Sequence, residues 1–164
     1  METPLMTSGG YFKSVKIVHF ALIAGIVFFA LTSIFLHQNG YKTFGEDLDG
    51  PFLIIVPLLA LAGIFTSNFL YKKRINEIDK QLPLSVKLVN YRAALIVKLA
   101  LLEAPSFFTV IAYLLTGNYI YLGIVLILLI VFLLYTPTKE KLINELELPR
   151  AEVEIINNPE AEID

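Results

Sequence analysis

The chain contains no cysteine, which excludes disulfides, thiolate metal sites and a cysteine nucleophile. It has no tryptophan either, so its eight tyrosines are left to anchor any membrane–water interface. Charge is scarce: Asp, Glu, Lys and Arg make up 17% of the residues, where about 25% is ordinary for a soluble domain. Neither a glycine-rich phosphate loop nor a serine-nucleophile elbow occurs, and no His or acidic pair within the apolar runs has the i, i+3 or i+4 spacing of a helical metal site. Enzyme chemistry therefore has no visible constellation, and no cofactor is expected. Apolar sequence is plentiful instead. Hydrophobic residues are 56% of the 164 and the mean hydropathy is +0.69, against about 45–50% apolar in soluble chains.

That composition predicts an all-α integral membrane four-helix bundle, with spans at 17–36, 51–71, 94–115 and 119–135. Residues 1–16 read as a flexible lead-in carrying Lys13 and Lys16. The run from Ile17 to Leu36 has the length of a full span, longer than a signal-peptide core of about 7–15 residues. Within it Ala21 and Gly25 form a small-xxx-small pair suited to close helix packing. His37–Gly50 reads as a solvated acidic loop with Glu46, Asp47 and Asp49 against Lys42. Asp47, Asp49 and Gly50 are too few of the required ligands for a calcium loop. Pro51 is placed at the first turn of the second helix, and Pro57 is expected to kink it.

Ala60, Gly63 and Ser67 form a small-residue stripe on helix 2, and Thr66, Ser67 and Asn68 a polar collar at its end. Lys72-Lys73-Arg74 stops the span, after which Ile75, Ile78 and Leu82 keep helical spacing as far as Pro83. A helical cytoplasmic extension between helices 2 and 3 follows from this. Leu84, Leu88, Tyr91 and Leu95 continue it as an interfacial lead-in, apolar side to the headgroups, with Lys87 and Arg92 wet. Helix 4 is hydrophobic all round and is expected to be the most lipid-exposed span. Thr138 caps a short cytoplasmic helix within 136–148, and the acidic tail 149–164 is expected to be disordered, the alternation of Ala151, Val153 and Ile155 allowing an edge strand. Every basic residue except Lys42 falls on one side of this threading. The positive-inside rule then puts both termini in the cytoplasm.

Two charged groups lie inside the third span. At about 100° per residue, Glu103 shares a face with Arg92, Ile96, Leu99, Ser106, Val110 and Tyr113, flanked by the small Ala100 and Ala104. This face is expected to turn inward, because a charge at mid-bilayer costs roughly 2.5–3.5 kcal/mol on insertion scales. Pro105 frees the Leu101 carbonyl one turn before it, which beside a carboxyl makes a candidate proton or ion station. Lys98 lies about 140° round from Glu103 and about 6–8 Å from the inner boundary, within snorkelling reach. Antiparallel threading brings His19, Thr66, Ser67, Asn68 and Lys98 to the same inner third, with Glu103 and Ser106 deeper. Together they form a candidate polar pocket.

The segments ALLEAP (Ala100–Pro105) and AYLLTGN (Ala112–Asn118) resemble a pattern in small four-helix multi-pass bacterial membrane proteins with no assigned activity. The resemblance implies a bacterial inner-membrane location and nothing about chemistry. The carboxylate hairpin of rotary ATP synthase rotors is similar only in having a membrane acid. Its polar cytoplasmic loop and paired glycine repeats are absent. The expected function is thus a non-enzymatic accessory or scaffold subunit in the lipid bilayer, meeting a protein partner or further copies of itself and no nucleic acid. The alternative is a proton- or ion-conducting oligomer or small transporter centred on Glu103.

Overall fold

The structure, a computed structural model, describes residues 6–41, 43 and 46–163, with backbone alone over 46–48. Among these it is all helical: α1 (Ser8–Gln38), α2 (Glu46–Asn76), α3 (Leu84–Thr116), α4 (Ile120–Leu134), α5 (Lys139–Leu146) and α6 (Arg150–Asn157). The first three are long and apolar enough to cross a membrane, and α4 with α5, bent by 70°, makes a fourth candidate. Alone, α4 has 15 residues, about 22 Å at the helical rise, short of a hydrocarbon core of about 30 Å.

The arrangement is a hub with spokes. α3 packs against α2, α1 and α4, whereas α1 and α2 share no extensive contact. The most apolar windows of α1 and α2 are only 22% and 17% buried, against 50% for that of α3. Spokes fan around part of the hub's circumference, so one face of α3 stays uncovered.

The tightest seam joins α2 to α3. A Cβ on Gly63 would lie 2.7 Å from Pro105 Cγ and 3.0 Å from the Leu101 carbonyl oxygen, so only glycine permits this approach. The carbonyl freed by Pro105 is thereby closed against α2. Ala60 and Ser67, the rest of the predicted stripe, are buried as well. On the other flank Phe107 of α3 packs on Phe29 of α1, beside Gly25. α4 does have a preferred face: Tyr121, Val125, Leu128 and Phe132, at helical spacing, are all buried, while Ile127, Ile130 and Leu134 are exposed. It is no more exposed than α2, contrary to expectation.

Several boundaries differ from the sequence reading. α2 begins at Glu46 and runs through both Pro51 and Pro57, so Pro51 is not in its first turn. It ends at Asn76, and Glu77–Pro83 forms turns rather than further helix. There the Asp79 carboxylate accepts from the Gln81 backbone N–H, an Asx-type turn that competes with helix. The lead-in and span of helix 3 are one continuous helix.

The tail also departs from expectation. It is neither disordered nor a strand but helix α6, followed by a return to the chain start. Ser8 N–H donates to Ala161 O and Gly9 N–H to Pro159 O, each at 3.0 Å. The Ser8 hydroxyl donates to Ile156 O at 2.8 Å, and Thr7 pairs with Glu162 in a single antiparallel bridge. Leu84, Leu88 and Tyr91 are buried in the same core as Leu142, Leu146 and Ile156. The apolar side of this part of α3 is thus covered by protein, and Lys87 beneath it is 2% exposed, not wet. Lys87 Nζ contacts both Glu152 carboxylate oxygens at 2.9 Å. Thr138 caps α5 as expected, its hydroxyl accepting from the Lys141 N–H.

At the far end from the termini, Asp49 is not a solvated loop residue. Its carboxylate accepts from Asn118 Nδ2 at 3.1 and 2.9 Å and from the Tyr121 hydroxyl at 2.8 Å. Lys42 and the side chains of Glu46 and Asp47 lie outside the described residues. Gly117 ends α3 at φ +74°, and a Cβ there would sit 2.6 Å from His37 Cε1. Gly117→Ala meets both the left-handed backbone and the imidazole, so it should cost roughly 1–3 kcal/mol. A fall in the thermal midpoint of the detergent-solubilised chain checks this, and an unchanged midpoint would contradict the geometry.

Candidate functional sites: a caged lysine and an uncovered face of α3

Lys98 enters the structure through packing rather than snorkelling. It is 9% exposed, with Nζ 3.7 Å from the Tyr135 ring centroid and 4.1 Å from that of Tyr71. Two tyrosine faces thus hold the ammonium by cation–π attraction. Neither a hydrogen bond nor an ion pair satisfies it among the described residues. It borders a cavity of about 240 Å³ lined also by Tyr91, Leu95, Pro137, Lys141 and Glu145. Glu145, from α5, is held by the Tyr71 hydroxyl at 2.6 Å and the Tyr91 hydroxyl at 3.1 Å. Lys141 folds back to donate to Leu134 O at 2.8 Å and Thr136 O at 3.1 Å, satisfying carbonyls at the end of α4.

Two other expected pocket residues border this cage. Asn68 donates to the Tyr135 hydroxyl oxygen. His19, fully buried, stands 3.3 Å from the Thr136 hydroxyl. That hydroxyl already donates to Leu133 O, so it accepts from His19 Nε2–H, and Nδ1 is left buried with no partner among the described residues.

The other members do not converge. Ser67 donates to Ile64 O and Ser106 to Leu102 O, each within its own helix. Thr66 lines a separate apolar groove between α2 and α3, with Gly63, Ala104 and Pro105.

Glu103 is half-buried and does not enter the core. Ile96, Ala100 and Ala104 are exposed on the same side of α3, as is Ala21 on α1. The expected inward face is therefore met in part: Leu99, Ser106, Val110 and Tyr113 are buried, but Ile96 is exposed and Arg92 and Glu103 are only half-buried. Leu99, Leu102, Ser106, Thr109 and Val110 lie on the buried arc, whereas Ala100 and Ala104, two of the small residues expected to pack inside the chain, are exposed. The physical reason lies in the hub arrangement: α1, α2 and α4 each pack on α3 but together leave part of its circumference, with Ile96, Ala100 and Ala104, exposed.

Tyr71, Tyr91, Tyr135, Lys141 and Glu145 were not among the residues expected in the polar pocket, Tyr91 being read only as part of an interfacial apolar side. Tyrosines near span ends read as interface anchors, and a glutamate on a short amphipathic helix reads as solvated. Glu145 does lie three residues after Leu142 and beside Leu146, at the rim of that helix's buried side, which was the available signal. Compared with known proteins, the chain matches no family model, no curated sequence and no solved structure.

Proposed function

We propose that the chain is a non-enzymatic, multi-pass integral membrane protein, an accessory or scaffold subunit. In this reading the uncovered face of α3 receives a transmembrane helix of a partner subunit or of a second copy. The observation that carries the reading is the placement of Glu103. This lone acid in the middle of a long apolar helix has no hydrogen-bond partner among the described residues, and it stands beside a floor of exposed Ala100 and Ala104. An acid facing lipid is costly, and small residues allow a second backbone to approach closely. A helix bringing a hydrogen-bond donor to Glu103 would satisfy both. The one-sided distribution of basic residues supports a bacterial inner-membrane orientation with both termini cytoplasmic. Lipid is the surrounding partner, through exposed side chains such as Phe28, Phe65 and Leu126.

Because the chain has no native cysteine, single-cysteine cross-linking in native membranes gives a clean test. Ala104→Cys should form a discrete adduct, with a partner or with itself, and adding Glu103→Leu should abolish it. Leu126→Cys, on the lipid side of α4, should form none. Equal adducts at both positions, or none at Ala104, would remove the docking reading. A proton or cation flux in liposomes that disappears in Glu103→Gln would replace it with conduction.

A further inference from the structure

We infer that the cavity around Lys98 is a binding site for a phosphate group with anionic oxygens, such as an anionic phospholipid headgroup presents. Lys98 is more than nine-tenths buried and lines the cavity, and its ammonium has no hydrogen bond or ion pair among the described residues. The two tyrosine rings flank Nζ, and Lys98 lines the cavity beside them. A buried ammonium is costly unless it is paired, so the missing partner is an anion.

Glu145 does not fill that role. It lines the cavity without reaching ion-pair distance of Lys98, and its Oε2 is committed to the Tyr71 and Tyr91 hydroxyls. A second donor is in place. The Tyr135 hydroxyl oxygen accepts from Asn68, so its own proton is free to point elsewhere, and Tyr135 lines the cavity. Lys141 adds a second positive charge at the rim. Against the single carboxylate of Glu145 the lining carries a net charge of +1, matching the single charge of a phosphodiester. About 240 Å³ exceeds the volume of a phosphate group and leaves room for the glycerol end of a headgroup. Leu95, Leu134 and Pro137 give the cavity an apolar side, and Leu134 is 67% exposed. The site therefore joins a cationic end to a surface suited to acyl chains.

The test uses the whole chain, delipidated in neutral detergent, and reads the thermal midpoint against increasing phosphatidylglycerol, phosphatidylcholine or inorganic phosphate. Phosphatidylglycerol should stabilise the wild type saturably. Phosphatidylcholine, whose own ammonium would sit beside Lys98 and Lys141, should bind at least roughly tenfold more weakly. Lys98→Met keeps the side-chain length between the tyrosines and should weaken phosphatidylglycerol roughly tenfold or more. Stabilisation by phosphatidylglycerol alone assigns the site to a lipid headgroup. Stabilisation by inorganic phosphate as well, lost in Lys98→Met, assigns it to phosphate from either source. Equal responses in wild type and Lys98→Met, or equal binding of the two lipids, would overturn the proposal. If Lys98→Met does not fold, Tyr135→Phe preserves the ring and removes the donor. An unchanged apparent Kd in that variant would overturn the proposal equally.

Discussion

Glu152→Ala is expected to free α6 from the bundle at a cost of about 3–5 kcal/mol, near the lower figure because water still reaches the glutamate. The ammonium of Lys87 lies under α6 with 2% of its side chain exposed, against 19% for Glu152. Removing the carboxylate strands that buried charge beside the core that holds Leu84, Leu88 and Ile156. The chain can then only open locally and let water in. Removing both charges together should behave differently. Lys87→Met with Glu152→Leu leaves no uncompensated ion, and a similar volume refills the gap, so the double variant should be close to wild type. Amide hydrogen exchange over Val153–Asn157 separates the cases: protection should collapse in Glu152→Ala and return in the double variant. A single variant with wild-type protection would show that α6 does not depend on this pair. The loss should remain local, because α6 joins the rest through a small area near the start of α1 and the side of α3.

Gly63→Leu should prevent α2 from seating on α3 at all. Even Gly63→Ala places a methyl 2.7 Å from a proline ring carbon and 3.0 Å from a backbone oxygen. Neither can rotate aside, so the two helices must separate along the seam. Overpacking of this kind typically costs about 1–3 kcal/mol for a small group and more for a large one. Gly123→Ala on α4 is the matched control, since nothing lies within 4 Å of its Cβ position. The fraction of monodisperse protein surviving a heating series in detergent should fall in the order Gly123→Ala, Gly63→Ala, Gly63→Leu. If Gly63→Leu survived as well as the control, the close approach would be wrong.

The long helices were legible because hydropathy and length suffice to find a span, and Thr138, Pro83 and Gly117 punctuate the chain where a cap or stop should stand. The Ala60–Gly63–Ser67 stripe was legible for the same reason: small residues at helical spacing mark close approach. α6 was hidden by an ambiguity of period. In AEVEII, Val153 and Ile155 alternate like a strand, while Val153 and Ile156 share a helical side, and the burial of Ile156 decides for the helix. Lys87 read as wet because its partner, Glu152, is 65 residues away. For Glu103 the helical wheel gives a side of α3 but not its surroundings. A square bundle would have covered that side, whereas three helices fanned about a hub leave it open. The cage around Lys98 needs one tyrosine from α2 and one just past the end of α4, and its cavity adds a tyrosine from α3 and a carboxylate from α5. No local pattern announces that convergence.

The bridge between Thr7 and Glu162 has a consequence for biosynthesis. The hydroxyl of Ser8 finds its acceptor 148 residues downstream, so the amino end of the first helix cannot take its final place until translation has passed the last helix. Through most of synthesis that end of the first helix must stand unclasped. A premature stop after α5 would leave the clasp unmade.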